Sequence, residues 1–148
     1  MLTLGRFLAL IVFGLFVNCG SVAGECPSHA SDLKVDRKAY ERMQQFVNEG
    51  HEPWRLDSQA VAAEQILKEE KAPKEQWNVY ALPLEPIEET QQRAIYKHES
   101  HLHPGVSYRV TVERPAWLLS SAKKWEWMIW IPTEVVATHC TSATSSGR

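Results

Sequence analysis

Apolar residues recur at helical spacing up to about Lys71 and at strand spacing from Gln76 onward, and this single change of period points to a mixed fold. In VDRKAYERMQQFVNEG, Ala39, Tyr40, Met43, Phe46 and Val47 fall on one helical face, with Asp36 placed to cap the start and Gly50 to end it. LDSQAVAAEQILKEEK repeats the logic from Asp57. Leu56 stands to Val61 as Val35 stands to Tyr40, the spacing of a hydrophobic staple around an N-cap.

Four stretches then read as strands: QWNVYAL, QRAIYKHE, VSYRVTVERP and KKWEWMIWIPTEVVAT. The third alternates cleanly, with Val106, Tyr108, Val110 and Val112 on one side and Ser107, Arg109, Thr111 and Glu113 on the other. The fourth sets Trp125, Trp127, Ile129 and Ile131 against Met128 and Trp130, the pattern of a central strand, with a bulge or strand break expected at Pro132 because proline cannot donate to a ladder. ECPSHASDLK reads as an irregular lead-in and LEPIEET as a loop. The expected fold is α+β: two N-terminal helices packed on a curved antiparallel sheet of about four strands, in the manner of cystatin-like or inhibitor-module-like sandwiches.

The N-terminus bears on compartment. In MLTLGRFLALIVFGLFVNCGSVAG an early Arg6, an apolar run from Phe7 to Val17 and small residues ending at Gly24 form the three parts of a secretory signal peptide. The run falls short of the roughly 20 apolar residues that span a bilayer. Residues 1–24 are expected to be removed and 25–140 to form one domain, with TSATSSGR, 141–148, a disordered tail. Lipidation at Cys19 is the rival reading, against which Asn18 is large and polar for a lipoprotein signal. Loss of Arg6 lowers the basic count from 16 to 15 against 18 acidic residues, a balance with no footprint for nucleic acid or an anionic membrane surface. In an oxidising compartment Cys26 and Cys140 read as one disulfide fastening both ends of the domain.

Two constellations suggest chemistry or binding. KHESHLHP holds His98, His101 and His103, and in an extended chain His101 and His103 share a side and could bind zinc or copper, with Glu99 or His139 completing the set. The plainer reading is a polar hairpin loop closed by Pro104 and Gly105. Trp117 and Leu118, in the long connection before the last strand, could form an apolar partner-binding tip or fold back on the domain. No serine sits in a GxSxG motif, there is no glycine-rich phosphate loop, and no cofactor is expected.

Between the helices lies GHEPWRLDS, Gly50 to Ser58. As a corner it explains itself: Gly50 ends one helix, Pro53 blocks continuation, Trp54 supplies surface to bury and Asp57 begins the next helix, while the charge of Arg55 is expected to reach solvent. As a ligand site, His51, Trp54 and Arg55 would suit a carboxylate or a sugar. Gly50, His51, Pro53, Trp54, Arg55 and Asp57 together resemble a Gly-His-x-Pro-Trp-Arg-x-Asp-Pro pattern of small uncharacterised bacterial exported or envelope proteins, with Ser58 where that pattern has proline. The resemblance implies the order of elements and no particular activity.

The function expected is that of an exported monomeric binding or accessory module, secreted or periplasmic, whose partner is a protein or small ligand of the cell envelope. The alternatives are a metal-binding protein or metal-dependent enzyme using the histidines, and a structural envelope component. The exported protein is expected to begin at Glu25. Intact mass checks this, and a mass that retains Met1 removes the signal-peptide reading.

Overall fold

The computed structural model describes residues 26–140; the expected signal segment with Cys19 and the expected tail lie outside the described residues. The chain runs β1 (Ser28–Asp32), α1 (Arg37–Asn48), α2 (Ser58–Glu69), β2 (Glu85–Glu89), β3 (Arg93–Glu99), β4 (Val106–Glu113) and β5 (Ile131–His139). The strands form one antiparallel sheet in the order β1-β5-β4-β3-β2. This is the expected α+β class, with β2 to β5 a meander and β1 added beyond β5. Among the described residues no helix is long and apolar enough to cross a membrane.

The sheet has five strands rather than four, and its edges are where the sequence misleads. β1 lies in the supposed lead-in. Its residues SHASD are all exposed, so it carries no apolar alternation, and it is held by backbone pairing to β5 and by the Cys26–Cys140 disulfide, with Cα atoms 4.5 Å apart. QWNVYAL is not a strand: a 3₁₀ turn covers Lys74–Gln76, and the Trp77 indole N–H donates to the Ala72 carbonyl at 2.8 Å just after α2. The strand falls instead in LEPIEET, as the edge strand β2, where Pro86 is tolerated and the register shifts between Pro86 and Glu88.

KKWEWMIWIPTEVVAT divides as well. Trp125–Trp127 form a 3₁₀ turn, and strand pairing begins only at Ile131. From there β5 is an inner strand, paired to β1 and β4, and the expected irregularity is present: Thr111 faces Glu134 while Val112 faces Pro132, so Thr133 is the extra residue.

Two apolar clusters hold these elements. Val61, Ala62 and Ile66 of α2 pack with Ala94, Tyr96, Tyr108, Val110, Val112 and Val135 of the sheet and with Trp130. The alternation in β3 and β4 supplies this face directly. The second cluster, Val47, Leu118, Met128, Ile129 and Ile131, gathers α1 and the long β4–β5 connection, with Val35, Tyr40, Met43 and Leu56 packed around it. Val35 and Tyr40 thus meet in one cluster as a staple should. Leu56 and Val61 belong to different clusters, because the corner carries the chain from one to the other.

Asp36 accepts from Ala39 N and Asp57 from Gln59 N and Ala60 N, so both helix starts are capped as expected. Gln44 is completely buried on α1. Its amide donates to Trp127 O at 2.7 Å, and its Oε1 accepts from Ile129 N at 2.9 Å. Asn48, one turn on, donates to Ser121 O at 2.8 Å. Gln44→Leu keeps the volume but strands the buried Ile129 N–H, and is expected to cost about 1–3 kcal/mol for that group alone. Denaturant unfolding of this variant beside Gln45→Leu, at an exposed position, measures it; equal midpoints would show that α1 is not fastened this way.

Candidate functional site

Four places hold side chains capable of chemistry or recognition. The corner is the first. Gly50 takes φ +94° and closes α1, its N–H bonded to Val47 O at 2.9 Å. Glu52 is also left-handed, at φ 45°, and leads into the 3₁₀ turn Pro53–Leu56. Trp54 packs half-buried on the first cluster, and the Arg55 guanidinium lies 4.2 Å from its ring centroid. Arg55 does not reach into solvent: its side chain is 12% exposed and is held by Glu52 and by Glu64, the latter at 3.8 Å. Backbone completes the joint, with Trp130 N donating to Arg55 O at 2.9 Å and Arg114 to Leu56 O at 3.2 Å. His51 turns elsewhere and stacks on Phe46 with centroids 4.1 Å apart. Of the three residues of the expected ligand site, Trp54 and Arg55 are brought together and His51 is turned away. The Arg55 guanidinium is taken by two carboxylates, and the corner acts as a joint between the two clusters.

The histidines separate too. His98 belongs to β3, not to the hairpin loop, and faces α2 at 3% exposure. Its Nδ1 hydrogen-bonds Pro83 O at 2.9 Å; because a carbonyl only accepts, that nitrogen carries the proton. Its Nε2 stands 3.6 Å from Oε1 of Glu70, the C-cap residue of α2, with both side chains almost fully buried. His103 reaches the Glu70 backbone carbonyl at 3.2 Å, while exposed His101 meets His98 edge-on at 5.9 Å. Glu99 pairs with Lys97 at 2.6 Å, and His139 bonds Pro27 O through its backbone. Among the described residues no group of three or more His, Cys, Asp or Glu side chains could hold a metal ion. His98 and His101 do border an open depression of about 300 Å³ with Pro83, Leu84 and Glu85.

In the β4–β5 connection, Leu118 is fully buried in the second cluster, so it offers nothing to a partner. Trp117 is half-buried with the Arg37 guanidinium 5.4 Å from its ring centroid, and Leu119 carries the exposed apolar surface. Ser58, Tyr96 and Glu89 form a chain that no sequence motif announces: the Tyr96 hydroxyl lies 2.7 Å from Ser58 Oγ and donates to Glu89. Burial, and then the Glu89 hydrogen bond, push the Tyr96 pKa up to about 12. The proton stays on the phenol, where it ties α2 to β3 and β2.

The fourth place is the sheet face turned away from α2. Register sets out its rows: Ser28, Thr138, Ser107 and Glu99; then Ala30, Val136, Arg109, Lys97 and Glu85; then Asp32, Glu134, Thr111, Ile95 and Glu88. Apart from Ile131 at its end, this face gives nothing to either cluster. A depression of about 280 Å³ crosses it, bordered by Ser28, Ile87, Lys97, Arg109, Val136 and Thr138. In sequence, Ser107 and Arg109 read only as the outward half of an alternating strand; their company on β3 and β5 comes from strand pairing across long separations. Compared with known proteins, the chain matches no family model, no curated protein and no solved structure.

Removing the His98 imidazole would take from the Pro83 carbonyl the hydrogen bond it accepts from Nδ1. His98→Leu is therefore expected to cost about 1–3 kcal/mol, whereas His101→Ala should stay within about 0.5 kcal/mol, as for an uninvolved surface position. Thermal or denaturant unfolding separates them, and equal losses in both variants would mean that the His98 hydrogen bond is not structural.

Proposed function

We propose that the chain is a small exported binding or accessory module that works through the sheet face turned away from α2, outside the cytoplasm and as a monomer, in the manner of secreted inhibitor modules. The observation that carries this reading is the asymmetry of the sheet. One face is consumed by α2, and the other presents a depression lined by cationic, hydroxyl and apolar side chains. Such faces serve recognition, because a rigid sheet presents side chains in fixed positions at little entropic cost. The Cys26–Cys140 disulfide supports an extracytoplasmic setting, since such bonds persist in oxidising compartments. Groups that would suit acid–base work, His98 with Glu70 and Tyr96 with Ser58 and Glu89, are instead committed to joining α2 to the sheet. The corner sequence is read as kinship with small bacterial exported or envelope proteins, and the inhibitor comparison is one of architecture, which by itself names no ligand.

Affinity capture from the exported fraction tests the surface with two bulky variants, Ser107→Trp on the proposed face and Gln59→Trp on the exposed side of α2. The expected result is that whatever copurifies with the parent is kept by Gln59→Trp and lost by Ser107→Trp. An equal profile for the two variants would refute the assignment of this face.

A further inference from the structure

We propose that this same face binds a small monocarboxylic acid, with the Arg109 guanidinium gripping the carboxylate and an apolar body lying across Val136 and Ile87. This rests on reading the face as the binding surface and adds the chemistry of the ligand.

Arg109 sits on an inner strand and has as its direct cross-strand partners Val136 on β5 and Lys97 on β3. Two cations opposite one another on one sheet face are destabilising. Lys97 is relieved by Glu99 at 2.6 Å, and on the same face Arg93 is relieved by Glu88 and Glu113 at 3.5 and 3.7 Å. Arg109 is exposed and, among the described residues, makes no ion pair, side-chain hydrogen bond or ring contact. Among the described residues its guanidinium fork is thus unengaged at the border of a depression, where a carboxylate would match its two parallel N–H donors.

The surroundings select the ligand further. Ser28, Ser107 and Thr138 place three hydroxyls in the adjoining row, each able to donate to an oxyanion. Glu85, Glu99 and Glu134 occupy neighbouring positions of the same face; Glu99 is taken up by Lys97, and the other two carboxylates would repel the two charges of a phosphate monoester more than the single charge of a carboxylate. Val136 is buried in the face, and Ile87, left out of register by the β2 bulge, is 54% exposed. Together they offer apolar contact beside the cation. At about 280 Å³ the depression is at the small end of ligand sites, which run from about 300 to 1,000 Å³. That size fits a compact aromatic or branched aliphatic acid.

The test is a titration of isotope-labelled mature protein, disulfide intact, with benzoate, phenyl phosphate and benzamide, followed by amide chemical shifts. Benzoate is expected to move the amides of Ser107, Arg109, Val136 and Thr138 saturably, and neutral benzamide to leave them in place. Arg109→Gln, whose spectrum should otherwise overlay on the parent, is expected to weaken benzoate by about tenfold or more, the usual consequence of losing a charge-assisted hydrogen bond. Arg93→Gln should bind as the parent does. Absence of a saturable benzoate shift, preference for phenyl phosphate, or unchanged binding by Arg109→Gln would each overturn the proposal. If benzoate fails while Ser107→Trp still blocks capture, the carboxylate assignment falls and the face stands; if both fail, both readings fall.

Discussion

The Gln44 side chain is buried without residual exposure, and its two ends are spent on the backbone of Trp127 and Ile129. An amide taken out of water is tolerable only when its hydrogen bonds are replaced, so this residue fixes how α1 approaches the connection that leads into β5. Once Met128 and Ile129 enter the second cluster, Trp130 is delivered to the first, its N–H bonded to Arg55 O. The corner and the connection thereby hold each other, and β5 begins where that joint releases the chain. Its position then determines the rest of the sheet, since β1 and β4 both pair with it.

Covalent closure acts at the other end of the same strand. The disulfide joins residues 114 positions apart, a separation for which the loop-closure model gives a stabilisation of about 4–5 kcal/mol. Its local effect matters as much. β1 is short, polar and exposed, with no apolar face to keep it in place, and the bridge beside it converts an otherwise fraying edge into a fifth strand. The free edge of β2 is moderated differently, by Pro86 and the bulge that follows it.

Residues able to do chemistry are divided between two faces of one sheet. His98 with Glu70, and Tyr96 with Ser58 and Glu89, face α2 and are buried or partly buried against it, which suits holding elements together. Arg109 is on the opposite face, exposed and without a compensating anion among the described residues. Its opposite neighbour Lys97 is already paired with Glu99, so the Arg109 guanidinium adds little to stability.

What the sequence determined by itself are the features carried by local chemistry. Asp36 and Asp57 as caps, Gly50 as a helix end, the alternation of β3 and β4, and the irregularity at Pro132 are each enforced by neighbours a few residues away. The α+β class followed from the change of period, and the pairing of Cys26 with Cys140 was expected from their places near opposite ends of the described residues. Tertiary structure decided the rest, for identifiable reasons. β1 and β2 are edge strands held by backbone pairing, the disulfide beside β1 and polar contacts of Glu88 and Glu89 in β2, so they carry no apolar alternation. Trp125 and Trp127 alternate like a strand but turn in a 3₁₀ coil, because Met128 and Ile129 are drawn to α1. His98 was grouped by sequence with His101 and His103, yet the pleat of β3 turns it toward Glu70, a partner 28 residues away that no local spacing reveals. Arg109 came to stand beside Lys97, Ser28 and Thr138 by the same means, since only strand register brings together side chains so far apart in the chain.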